Sequence, residues 1–125
     1  MFLLKRKPGI TKEEFRACYE GGHVRIAKKY LGHVFADYRR NYIDGGFVKS
    51  PEDVDKIIPM ESLEGEYDAV TQMVFADEAA LGEFMRITSL PEVEALFQED
   101  EQRFLDRPAM KVYTCRQTTM WGDDN

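Results

Sequence analysis

Hydrophobic and polar positions follow two different periods along this chain, and the switches between them outline a fold. Over 11–32 the period is helical. Phe15, Tyr19, Gly22, Ile26 and Tyr30 recur at three- and four-residue steps and share one face. Lys12, Glu13, Arg16, Glu20, Arg25, Lys28 and Lys29 fill the other side. Thr11 and Glu14 stand at capping-box spacing, which sets the start, and Gly32 after a basic last turn sets the end. Residues 1–7 read as a strand turned by Pro8-Gly9. Residues 33–43, HVFADYRRNYI, have the β-branched and aromatic content of a second strand. One of its faces carries Val34, Ala36, Tyr38, Arg40 and Tyr42, and the other carries Phe35, Asp37, Arg39, Asn41 and Ile43. Residues 67–75 form a third strand. Asp77 caps a helix through about residue 87. Ser89-Leu90-Pro91-Glu92 opens another through about residue 105, with Val93, Leu96, Phe97, Phe104 and Leu105 as its apolar set. Residues 109–118 are the last strand, and 119–125 are a polar tail apart from Met120 and Trp121.

The segment 44–66 is too long for a hairpin turn. Ser50-Pro51-Glu52-Asp53 has the cap, the N1 proline and the acidic first turn of a helix, so a short helix through about residue 58 is expected there. Long connections in small domains serve as lids or partner contacts, or are excursions without a role. Ile57, Ile58 and Met60 would make such a contact.

The order strand, helix, strand, strand, helix, strand is the ferredoxin-like βαββαβ motif. It is an α+β fold with a four-stranded antiparallel sheet and its helices on one face. Residues 1–118 then form one domain. The mixed character of both faces of the second strand suggests that the sheet meets helices on one side and a second copy of the chain on the other, so a homodimer is expected.

Composition narrows the partners. The chain has 125 residues, 43% hydrophobic and 32% charged, with a net charge of −6. That balance argues against nucleic acid. No apolar run reaches the length of a membrane span, and the opening Phe2-Leu3-Leu4 is cut off by Lys5-Arg6-Lys7. Cys18 and Cys115 have no metal-type spacing and read as reduced, semi-buried thiols of a cytoplasmic protein. No metal site is expected.

Chemistry gathers around one histidine. His23 lies four residues after Tyr19 and four before Ala27, at the edge of the apolar stripe. It is either a hydrogen-bonded structural residue or a group that takes and gives a proton near neutral pH. Gly21-Gly22 precedes it, and each glycine costs a helix about 0.5–1 kcal/mol relative to alanine. The pair marks a kink, or room beside His23 for a ligand, or both. Tyr38 and Tyr42 share a strand face with Arg40. They could hold an organic anion, or the tyrosines could pack while Arg40 pairs with an acid such as Asp68. His33, at a helix–strand junction, reads as a surface residue.

The opening FLLKRKPGITKEEF, His23 in the middle of the first helix, YRRNYI, and above all the closing run SLPEVEALFQEDEQRFLD resemble the EthD-domain family of the dimeric α+β barrel superfamily. The resemblance covers nearly the whole chain. Tyr19 matches the aromatic residue that members carry before the histidine. Arg25 stands where they often carry proline. The resemblance implies a cleft between helices and sheet that holds a small, mostly apolar or aromatic molecule, faced by His23. It implies an enzyme without a cofactor, doing proton-transfer chemistry: decarboxylation, dehydration, cyclisation or isomerisation, a lyase first. His23 would be the general acid/base, Tyr19 a pocket wall, and Arg40 with Tyr38 or Tyr42 the holders of a developing anion. A cofactor-free monooxygenase, a non-catalytic ligand-binding protein and a haem protein with His23 as axial ligand are the alternatives.

Overall fold

The computed structural model describes residues 1–59, 66–118 and 120. Strand β1 is Phe2–Leu4. Pro8 and Gly9 then turn the chain, Gly9 at a φ of 93° that disfavours any side chain. Helix α1, Lys12–Cys18, starts on the expected capping box: Thr11 Oγ1 accepts from Glu14 N–H at 3.0 Å, and Glu14 Oε1 accepts from Thr11 N–H at 3.2 Å. Helix α2 is Val24–Leu31. Between them Tyr19–His23 form a π-helical turn, in which Val24 N–H donates to the Tyr19 carbonyl five residues back.

That wider turn changes which side of α2 faces inward. An uninterrupted α-helix would continue the stripe from Tyr19 to Gly22, Ile26 and Tyr30. The extra residue rotates it to His23, Ala27 and Leu31. Ala27 and Leu31 are buried, whereas Ile26 and Tyr30 are only half-buried. The same rotation carries His23 from the edge of the stripe onto the inward face.

Strand β2 is Asp37–Tyr42. A separate two-stranded hairpin follows, β3 Phe47–Lys49 with β4 Ile57–Pro59. This corrects the expected short helix. Ser50 Oγ accepts from Glu52 N–H, Asp53 Oδ1 accepts from Asp55 N–H, and Ser50 N–H donates to the Lys56 carbonyl. The residues that resemble a helix cap close turns instead. Ile57 is exposed and Ile58 half-buried; Met60 lies outside the described residues.

Strand β5 is Ala69–Val74 and helix α3 is Glu78–Thr88, with Asp77 as its N-cap accepting from Ala80 N–H at 2.8 Å. Helix α4, Pro91–Phe104, begins on its proline and is followed by a 3₁₀ turn, Arg107–Ala109. Strand β6 is only Lys111–Val112, shorter than expected, because backbone pairing with β1 ends at Met1–Tyr113. Cys115 lies past that point and is exposed, a correction to its reading as semi-buried. Cys18 is half-buried.

The main sheet is antiparallel in the order β2-β5-β1-β6, with the helices on one face: the ferredoxin-like α+β arrangement. Leu4, Phe15, Tyr19, Ala69, Phe104 and Leu105 form one buried cluster under α1 and α4. Leu31, Val34, Ile87 and Val93 form a second under α2, α3 and α4. On the other sheet face Leu3, Val70 and Asn41 stand in register, beside Arg39 and Gln72. Among the described residues no helix is long and apolar enough to cross a membrane.

Candidate functional site

His23 is fixed on three sides by rings: Tyr19 at a centroid distance of 5.4 Å, Phe97 at 5.1 Å and Phe104 at 5.7 Å. Its Nδ1 faces Asp100 Oδ2 across 3.4 Å, close enough for charge attraction but too long for a well-formed hydrogen bond. Asp100 projects from α4, and its Oδ1 is met by Arg103 Nη2 at 3.3 Å. Burial disfavours the imidazolium more than the Asp100 carboxylate favours it, so His23 titrates below the ordinary 6.5 and is neutral at pH 7.

Gly22 makes this meeting possible. A Cβ there would lie 2.7 Å from Asp100 Oδ1 and 3.2 Å from Arg103 Nη2. The room that Gly22 leaves is therefore filled by the Asp100 carboxylate, not by space for a ligand. Gly21 has nothing within 4 Å of its would-be Cβ.

His23 forms part of the wall of a cavity of about 290 Å³, where α2, α3 and α4 meet the sheet. Ala27, Leu31, Phe84 and Phe97 line it from the helices, and Phe2, Tyr38 and Met73 from the strands. Glu101 and Arg107 add charge at its α4 end. The space suits a small, largely apolar molecule.

The other expected site residues separate into two groups. Tyr38 lines the cavity, and its hydroxyl is 3.2 Å from that of Tyr19. Tyr19 is buried behind it and also hydrogen-bonds Thr71 Oγ1. Burial raises the pKa of both phenols, so each stays protonated. Arg40 and Tyr42 are not among the residues lining this cavity. Arg40 makes a two-pronged ion pair with Glu20, Nε to Oε2 at 3.0 Å and Nη2 to Oε1 at 2.7 Å, and Tyr42 O–H also donates to Glu20 Oε2. The partner of Arg40 is thus Glu20. Asp68 instead takes Arg6, accepting from its backbone N–H at 2.8 Å. The Arg40 hydrogen bonds hold the Glu20 carboxyl below its usual range.

Three groups here are not among the expected site residues. Glu20 falls on the charged side of an idealised α-helix. Asp100 does have a signal, being seven residues after Val93 and four before Phe104, in phase with the buried stripe of α4. Glu101 lies one step further round and faces the cavity.

A family profile described as the EthD domain matches residues 7–108 of the chain. No curated protein and no solved structure matches it. The match spans the capping box, the π turn with His23, both long strands of the sheet and the whole of α4. The chain therefore belongs to the EthD-domain family.

Proposed function

We propose that the protein is a cofactor-independent enzyme moving a proton on a small, mostly apolar or aromatic molecule, with His23 as general acid/base. One observation carries this reading: the His23 imidazole, with its Nδ1 facing a buried carboxylate, borders a cavity that is otherwise largely apolar. A neutral imidazole can accept a proton, and the Asp100 carboxylate stabilises the imidazolium formed. The Tyr38 hydroxyl, held protonated, can donate to a developing enolate or phenolate. Decarboxylation, dehydration, cyclisation and isomerisation all share such a step, a lyase being the first choice. The cofactor-free oxygenase variant would begin with the same deprotonation. The working form is proposed to be a cytoplasmic homodimer joined through the open sheet face.

A second reading is binding without turnover. It is favoured by the engagement of Arg40 with Glu20, which leaves this cavity without the arginine expected to hold an anion.

The experiment is solvent-deuterium exchange into the α-position of β-tetralone, a small aromatic ketone, followed by NMR. The enzyme reading expects exchange above background. It expects His23→Ala to lower the exchange rate by about 10²–10⁴-fold, the usual contribution of a positioned acid–base group. His23→Asn should be nearly as poor. Bound β-tetralone with no enzyme-dependent exchange would favour the binding reading.

A further inference from the structure

Two charged side chains in the cavity wall take no part in the proton transfer proposed above. Glu101 projects from α4 and Arg107 from the 3₁₀ turn after it, and Arg107 Nε donates to Glu101 Oε2 at 3.2 Å. Among the described residues lining this cavity, Arg107 is the one permanent cation. The Asp106 carbonyl accepts from Ala109 N–H and the Arg107 carbonyl from Met110 N–H, so the backbone that presents Arg107 is fixed. The Glu101 side chain is 16% exposed and the Arg107 side chain 40%. Glu101 is thus the half-buried member of the pair, and Arg107 reaches the cavity from its rim.

An ion pair this open to solvent is held only weakly. It does not resist exchange of one anion for another. A ligand carboxylate entering the cavity can take over the guanidinium, which is shaped for planar two-pronged recognition. The displaced Glu101 is then left without its cation. Burial and the nearby Asp100 already raise its pKa against the opposing pull of Arg107, so removing Arg107 raises it further. The other titratable groups of this wall are His23 from the π turn, Tyr38 from β2 and Glu94 from α4. Helix α3 contributes the uncharged Thr88, and Arg6 beyond β1 is occupied by Asp68.

We propose that Arg107 is the anion-binding group of the cavity, exchanging Glu101 for the carboxylate of a small aromatic ligand. This rests on the reading of the cavity as the ligand site and adds the ligand class, an aromatic carboxylic acid. Once bound, the carboxylate is held at the α4 end while the apolar ring occupies the space beside His23.

The test compares naphthoate with its neutral isostere naphthamide by titration calorimetry in buffers of different ionisation enthalpy. Wild-type protein should bind naphthoate more tightly than naphthamide, with proton uptake, and naphthoate affinity should fall as pH rises. Arg107→Met should weaken naphthoate binding by about 10–100-fold, the usual loss for a hydrogen bond to a charged group. Its unchanged affinity for naphthamide would show that the cavity remains formed. Glu101→Gln should abolish proton uptake and tighten naphthoate binding. Equal affinity of the wild type for both probes, or an Arg107→Met affinity for naphthoate equal to that of the wild type, overturns the proposal. Because these readouts involve no turnover, a carboxylate preference without any β-tetralone exchange would sink only the catalytic reading of His23.

Discussion

Gly22 and Asp100 compete for one small volume, and the choice of glycine decides how His23 is held. Glycine at position 22 is unfavourable for helix propensity but lets the carboxylate of α4 reach the imidazole. Gly22→Ala must push aside a short, buried side chain, which has little room to move. It is expected to destabilise the protein by about 1–3 kcal/mol, as for other overpacked sites, and to lower the His23 pKa further as Asp100 withdraws. Gly21→Ala meets open space and should raise stability by up to about 1 kcal/mol. Chemical denaturation of the two variants checks this contrast; equal destabilisation by both would contradict it. The glycine pair is visible in the sequence, but its two members have different reasons, and only the packing of α4 separates them. Asp100 could have been found from its phase in α4. Glu20 could not, because the pairing of Glu20 with Arg40 depends on how β2 lies against the helix.

At the scale of elements, the π turn organises the site. It inserts one residue between α1 and α2 without disturbing either flank, so Phe15, Tyr19, Ala27 and Leu31 all face inward. Deleting Gly21 should therefore give a continuous α-helix with the same buried face, a folded protein of similar melting temperature, and an altered His23–Asp100 geometry. Thermal unfolding followed by circular dichroism checks this; a collapse of the transition would mean that the π turn is not a simple insertion. The extrapolated stripe through Ile26 and Tyr30 missed by one residue for this reason, since a constant 3.6-residue period has no place for an insertion. The hairpin β3–β4 was illegible for a different reason. Ser50, Asp53 and the proline between them serve turns and helix caps alike, and the pairing of Val48 with Ile58 settles the matter through distant contacts. By contrast, the caps of α1 and α3 and the proline start of α4 were legible because each rests on a local hydrogen bond or a fixed φ.

At the scale of the whole molecule, the sheet has one face under helices and one that is free of helices among the described residues. The open face sets Leu3, Val70 and Val74 among Asp37, Arg39, Asn41, Gln72 and Lys111, a mixture that suits a second polar-apolar sheet better than bulk water. The proposed homodimer predicts a two-subunit mass by sedimentation equilibrium at micromolar concentration. Val70→Glu, placing a charge at the centre of that face, should shift the population to monomer while the helix-covered core stays intact. A well-folded monomer in the unmodified protein would remove the dimeric arrangement. The βαββαβ order itself was legible throughout, because it depends only on where the period changes from two to 3.6 and back.

The proposed chemistry needs a neutral His23 facing the cavity, and nitrogen-detected NMR of that imidazole tests it most directly. The folded structure lowers its pKa, so its contribution to stability is present above 6.5 and is lost as pH falls below that value toward the folded midpoint. The spectrum should show a neutral ring at pH 7, a midpoint below 6.5, and a shift of the His23 resonances when β-tetralone is added. A midpoint at or above 6.5, or His23 signals that ignore the bound ketone, would contradict the account.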